Sequence, residues 1–375
     1  MPFTGHATYD DTAAMFEDIS DQVALLSLLK TPLLDRIGDP PYPAERETHQ
    51  WREDSYLSAV DQLNEGAGLN NSDLTWTVDD GTKFYIGAYV VIDAEHMIVT
   101  GISVNDITVA ARGHGDTAAA THLDNAPVYI VGSAALEGAD PPAPKHSIMV
   151  AKTNYTQIFQ GPEVNLSLTR QAIKRIGGDN GFDSELSKRL ETELANLEWS
   201  VINGTWQTST PAGSDTVPRT MQGIKYRLAS NVTDLAGAKL TVETLEDLLR
   251  LAWDNGAENM NLVVCGSYNK GVISQMARPG RRLTNTDATL FEKITEIETD
   301  FFSGGLLLSR RIPASEILIL TLPNISVMSL PGRFFQRIDL PQTGSAKRAY
   351  VEGEYTNEVR LEATHMWIKN TAITG

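Results

Sequence analysis

The stretch that most constrains this chain is DSELSKRLETELANLEWSVING, from Asp183 to Gly204. Leu186, Leu190, Leu194, Leu197 and Val201 recur at spacings of four, four, three and four, the stripe of an α-helix with one packed side. Asp183 is placed to cap the first turn with its carboxylate, and Gly204 after Asn203 to supply a left-handed stop. Glu185 and Arg189 sit four apart in the favourable order on the polar side. About twenty helical residues reach roughly 30 Å, enough to cross a domain. A helix of this length over 183–203 is a spine, and the rest of the chain has to pack against it. It carries no activity by itself, so function must be read from its neighbours.

The chain has 375 residues, which calls for two or three folded units. Lys and Arg number 31 against 48 Asp and Glu, a net charge of −17. Such a balance argues against a protein that grips phosphates across its surface, although not against one that encloses nucleic acid screened by its own counterions. The single Cys265 excludes an intrachain disulfide and fits a reducing cytoplasm. The first thirty residues carry Asp10, Asp11, Glu17, Asp18 and Asp21 and one basic residue, Lys30, which is not a signal peptide. No apolar run approaches the length of a membrane span.

Residues 1–45 read as an arm, with a short apolar helix over Val23–Leu29 ending near Thr31-Pro32 and an extended linker at Asp39-Pro40-Pro41-Tyr42-Pro43. HQWREDSYLSAV from His49 and SIMVAKTNYTQIF from Ser147 predict two long strands that pair as legs of one hairpin within 46–160. Between them, at about 75–131, short β-branched runs (TWTV, AYVVID, HMIVTGI, ITVAAR, APVYIV) are divided by Asp80-Gly81, Gly87 and Asn105-Asp106, which predicts a small barrel or sandwich of five or six strands. A strand over 164–169 and a short helix near Gln171–Ile176 lead to the spine, and Thr205–Pro218 is an exposed loop. Residues 219–340 alternate helix and strand: a helix capped by Thr241, a buried strand at Leu262–Cys265, a helix over Asn269–Met276 and three further strands. The end, 341–375, predicts a long closing strand or hairpin that returns to the spine.

The chain has no phosphate loop, no GxGxxG after a strand, no HExxH and no GxSxG. His114 and His122 lie eight apart in a Gly- and Ala-rich turn, where a structural role outweighs a metal site, and Cys265 follows three apolar residues as a packed thiol. Glu352, Glu354, Glu358 and Glu362 share a strand face by alternation and read as a solvated or salt-bridging edge rather than paired catalytic carboxylates. Catalytic, cofactor and metal residues are therefore assigned to none. Arg278, Arg281 and Arg282 flank Pro279-Gly280 in a loop, and in so acidic a chain they are candidates to pair with carboxylates of another subunit. Trp51 and Arg52, on the first long strand, are further candidate inter-subunit contacts.

The order arm, long hairpin, spine helix, α/β domain, closing strand resembles the major capsid proteins of tailed bacteriophages with the HK-ninety-seven fold. TPLLDRIG at Thr31 followed by HQWREDSYL, NYTQIF at Asn154, RTMQGI at Arg219 and VEGEYTNEVRLEATHMWI at Val351 resemble strings of one branch of these head proteins. HMIVT followed by ARGHGDTAAATH resembles a β-module inserted in phage structural proteins, although Ala88 and Ala111 stand where polar residues are usual, and Met366 after His365 where Gly is common. The resemblance implies an α+β fold made of an N-terminal arm, an E-loop carrying the insert, a peripheral domain (161–218), an axial domain (219–340) and C-terminal strands back to the peripheral domain. It implies a non-enzymatic homo-oligomer of hexamers and pentamers in an icosahedral shell, in the virion and assembled in the host cytoplasm. Double-stranded DNA would be packaged without sequence-specific contacts, with portal, scaffolding and decoration proteins as partners and no membrane. An encapsulin-like compartment remains an alternative, as does a tail or decoration protein binding carbohydrate on Trp76, Tyr85 and Tyr89.

Overall fold

The computed structural model describes residues 30–54, 59–135, 137–138, 140, 149–173, 181–257, 259–276 and 296–373. They fall into two compact units, Arg52–Ala151 and the rest of the chain on either side of it. The larger unit opens with α1 (Pro32–Ile37) and β1 (Thr48–Glu53).

The Arg52–Ala151 unit holds β2 (Val60–Gln62), β3 (Thr75–Thr77), β4 (Ala88–Ile92), β5 (Glu95–Ser103), β6 (Asp106–Val109) and β7 (Pro127–Ser133). They form one sheet in the order β2-β7-β4-β5-β6-β3, and an antiparallel bridge between Leu63 and Val78 joins the outer strands. The sheet is thus a closed small barrel, which removes the exposed edges an open sheet would carry. Alternate residues point inward, so Trp76, Val90, Ile92, Met97, Ile107 and Val128 fill its core. The compact unit takes in more chain than the 75–131 read from sequence, because β2 and the loop after it complete the barrel.

In the larger unit come β8 (Val150–Tyr155), β9 (Gln157–Gln160), β10 (Val164–Ser167), α2 (Leu168–Ala172) and the spine, α3 (Gly181–Asn203). They are followed by β11 (Val232–Asp234), α4 (Val242–Asp254), β12 (Leu262–Cys265), α5 (Ser267–Met276), β13 (Glu296–Glu298), β14 (Ser303–Leu308) and β15 (Ile317–Leu320). The chain closes with β16 (Ile325–Ser329), β17 (Gln336–Asp339), β18 (Ala346–Val359) and β19 (Met366–Lys369). β1 pairs with β8. The 14-residue β18 organises a second sheet, taking β10 and then β9 on one side, and β17 and then β16 on the other. A third sheet runs β11-β19-β15-β12-β14-β13. Its central strands LVVC and ILIL are buried throughout, as expected when both faces are covered. One face meets Leu197, Val201 and Ile202 of the spine, and the other meets Leu248, Leu249, Val272 and Ile273 of α4 and α5.

The structure corrects several expectations. The spine exists, but its packed line runs through Phe182, Leu186, Glu193, Leu197, Glu198 and Val201, and Leu190 is 37% exposed. Two carboxylates lie on the buried face, so a count of apolar residues alone rotates the stripe. Asp183 is inside the first turn rather than capping it. Gly204 is not left-handed. It is needed for close approach: a Cβ there would meet Ser200 O at 2.5 Å and Met221 O at 2.7 Å. Its neighbour Gly223 donates its amide to Gly204 O at 2.8 Å. Pro32 opens a helix rather than ending one, its fixed φ suiting the first helical position; the apolar helix expected over 23–29 lies outside the described residues. The short helix before the spine occupies Leu168–Ala172 and is capped by Ser167, ahead of the expected position. Finally, 346–369 is not one closing hairpin, since β18 and β19 enter different sheets, and β16 leaves the α/β sheet to pair with β18.

Candidate functional site

Three of the strings singled out in the sequence meet inside the larger unit. Asn154 on β8 is fully buried. Its Nδ2 donates to Asn357 O at 2.8 Å, Asn357 Oδ1 at 2.6 Å and Gln222 O at 3.1 Å, and its Oδ1 accepts the Gln222 amide at 2.9 Å. One side chain therefore joins NYTQIF, RTMQGI and VEGEYTNEV. Two residues on, Thr156 Oγ1 donates to Glu354 Oε1 at 2.6 Å. Arg219 completes the triangle, donating from Nε to Thr156 O at 2.7 Å and from Nη2 to Glu354 Oε1 at 2.6 Å. From the other side Arg333 reaches Glu352 at 2.7 Å and Glu354 at 3.4 Å.

At the far end of β18, Glu358 receives His49 Nε2 at 2.8 Å, Tyr42 Oη at 3.0 Å, and Arg360 Nε. Burial pushes this carboxyl's pKa up, but the hydrogen bonds from His49, Arg360 and Tyr42 outweigh it and hold it below the usual range. Of the solvated or salt-bridging edge read from the sequence, the salt-bridging form is present: Glu352, Glu354 and Glu358 pair with Arg333, Arg219 and Arg360, and Glu354 and Glu358 are buried rather than solvated. Alternation fails for Glu362, which lies in a turn beyond β18 and accepts the Ala229 and Ser230 amides at 2.8 and 3.2 Å. Nor could it reveal that arginines, a tyrosine and a histidine cover Glu354 and Glu358.

The spine contributes a comparable joint. Glu198 Oε2 accepts the amides of Leu33 at 2.9 Å and Leu34 at 3.3 Å, and its Oε1 accepts Ser309 Oγ at 3.1 Å. A side chain of α3 thus caps α1, whose own Thr31 makes no side-chain cap. Burial still pushes the Glu198 pKa up. His365 is buried between backbone groups: Thr321 N donates to Nδ1 at 3.1 Å, and Nε2 lies 3.2 Å from Arg360 O. A carbonyl accepts only, so Nε2 carries the proton and the ring is neutral. Burial pulls its pKa down to about 4.

In the barrel unit Glu95 is the equivalent centre. Arg112 Nε and Nη2 grip its two oxygens at 2.8 Å each. The Gly113 and Ala120 amides add 2.8 and 3.0 Å contacts, and His122 Nε2 lies 2.9 Å away. His122 Nδ1 in turn meets Asp93 at 2.7 Å. ARGHGDTAAATH is thus a loop wrapped on one buried carboxylate. Burial works to raise the Glu95 pKa, but the Arg112, Ala120 and His122 hydrogen bonds bring it to about 2.

These are joints, not an open reaction centre. Among the described residues no group of three or more His, Cys, Asp or Glu is arranged to hold a metal, and no helix is long and apolar enough to cross a membrane. Cys265 is buried, and burial pushes its thiol up to about 12. Of the carbohydrate platform weighed above, Trp76 is 1% exposed in the barrel core, the Tyr85 hydroxyl donates to Gly132 O at 3.1 Å, and Tyr89 is half-buried against His96 with centroids 5.3 Å apart.

Of the candidate inter-subunit residues, Arg278, Arg281 and Arg282 lie outside the described residues. Trp51 is 6% exposed in its own chain, stacked on His49 with centroids 5.7 Å apart and covered by the Arg227 guanidinium at 4.7 Å. Arg52 is exposed. The joint residues Asn154, Thr156, Asn357 and Glu198 were not singled out from sequence; their one signal was that the first three lie in the strings carrying the resemblance.

Comparison with known proteins agrees with this architecture. Two solved structures align over nearly their whole length. The capsid of Myoviridae phage XM1 has a TM-score of 0.53 and 9% identity, covering 94% of this chain and 96% of that one. A structure of Mycobacterium phage Bobi has a TM-score of 0.52 and 8% identity, covering 97% and 98%. At such identities the likeness establishes the fold, the α+β HK-ninety-seven-like capsid fold, here with a small β-barrel within it. No curated protein sequence matches the chain. A family model described as SU10 major capsid protein matches residues 3–372, and by that match the chain belongs to the SU10 major capsid protein family.

Proposed function

We propose that copies of this phage major capsid protein tile a closed icosahedral head as hexamers and pentamers, around double-stranded DNA and without any catalytic step. The observation that carries this reading is the family match over residues 3–372, joined to a fold shared over almost the full length of the phage XM1 capsid chain. The chemistry of the joints supports the non-catalytic part. Glu95, Glu198, Glu358 and His365, four of the buried groups with displaced pKa values, are each engaged by groups of their own unit. Perturbed groups in an active site face a cleft where substrate can reach them; these face backbone amides, arginines and a tyrosine.

A charge of −17 per chain leaves DNA to be enclosed with its counterions rather than gripped. Assembly in the host cytoplasm fits a chain whose one cysteine needs no oxidising compartment. The test is to express the chain, purify it and image it by electron microscopy. Closed shells of uniform size are expected; a protein that stays monomeric with every assembly partner supplied would overturn the reading.

A further inference from the structure

The turn Leu330–Phe335, between β16 and β17, is held from both sides. Arg333 N donates to Leu330 O at 2.9 Å, and Glu354 N donates to Arg333 O at 2.8 Å. The Arg333 side chain is tied to Glu352 and Glu354. On the other flank the Phe335 amide donates to Tyr355 Oη at 3.1 Å, and its ring packs on Tyr355 with centroids 4.8 Å apart. Gly353 makes room for that ring: a Cβ there would lie 2.7 Å from Phe335 Cδ1. Between these fixed neighbours Phe334 is 59% exposed, more than any other Phe, Tyr or Trp among the described residues.

An apolar ring presented by an already ordered turn loses little conformational freedom when it is covered, which is the profile of an interface anchor. We infer that Phe334 anchors this turn in an adjacent copy of the same chain; the inference rests on the shell reading above. Charge favours a second copy over the enclosed DNA. The nearby arginines are already matched, Arg333 to Glu352 and Glu354, and Arg337 to Asp183 and Asp339. Arg219 also binds Glu354, so three cations stand among these four carboxylates. Such a rim carries no net positive charge for phosphate, whereas an apolar anchor inside it suits a protein surface.

The experiment compares wild type, Phe334→Ala and Phe334→Leu as unassembled subunits, and then in assembly followed by light scattering and electron microscopy. Melting temperatures should agree, because an exposed ring contributes little to the fold. Phe334→Ala should need about tenfold more protein, or more, to form shells, the size of one anchor's loss. Phe334→Leu should recover part of that. DNA content per shell, in whatever shells form, should not change. Phe334→Ala shells at the wild-type threshold would overturn the inference and leave the shell reading intact, as would a lower melting temperature that accounts for the assembly defect. Wild type failing to form shells with every assembly partner supplied would instead remove the reading on which it rests.

Discussion

Asn154 Nδ2 donates to both the backbone and the side-chain oxygen of Asn357, 203 positions further along the chain. The same amide group also holds Gln222. Asn154→Ala would leave the Gln222 amide and carbonyl and the Asn357 oxygens without these partners, at a cost of about 2–4 kcal/mol for several buried groups. Asn154→Asp retains the acceptor but loses the donor and buries a charge, and should cost at least as much. Urea denaturation of unassembled subunits measures this; a change within about 0.5 kcal/mol would mean the joint is not formed in solution.

On the spine, Glu198→Leu is expected to destabilise by about 2–4 kcal/mol, because the amides of Leu33 and Leu34 and the Ser309 hydroxyl lose their acceptor inside the protein. Leu190→Asp, on a side 37% exposed, should stay within about 1 kcal/mol of wild type. The same denaturation series checks both, and the reverse order would show that the helix is rotated about its axis.

Acid should act on the two units in different windows. His365 has its pKa lowered to about 4 from 6.5, so the folded state binds fewer protons than the unfolded one between these values. Stability is therefore complete above about pH 6.5 and falls toward pH 4, by about 3 kcal/mol at one pKa unit per 1.36 kcal/mol. His365→Gln, which keeps a donor and an acceptor, should flatten that slope. Glu95, lowered to about 2 from 4.5, contributes stability that persists above pH 4.5 and is lost as pH falls toward 2. Backbone amide signals of the barrel should thus survive at pH 4.5, where those around His365 are already weakened. Simultaneous loss of both sets would contradict the two assignments.

Assembly should improve as salt rises from low concentration. Each chain carries −17, and screening shortens the repulsion to about 10 Å at 0.1 M and about 3 Å at 1 M. Apolar burial at the contacts is not weakened by the same change. Light scattering over a salt series reads this directly, and shells that form best at low salt would mean that ion pairs dominate the contacts.

Much of the fold was legible because local rules and tertiary packing agree there. Thr241 accepts the Thr244 amide at 3.2 Å and opens α4 as read. The barrel follows from alternation punctuated by turns, and LVVC from an apolar run too short for a helix. The joints were less visible, because a polar residue in a sequence does not show whether water or another segment will satisfy it. Glu354 and Glu358 read as a solvated or salt-bridging edge, and Glu198 was not singled out at all, for that one reason.

The sequence by itself determined the spine, α4, the barrel strands, the buried strand LVVC and the family resemblance, since periodicity, capping and turn chemistry act over a few residues. Only the tertiary structure decided which way the spine faces, that β18 and β19 part into different sheets, and that Asn154, Gln222 and Asn357 share one set of hydrogen bonds. Those outcomes depend on partners tens to hundreds of residues away, and they are set by the cost of burying a polar group without a partner.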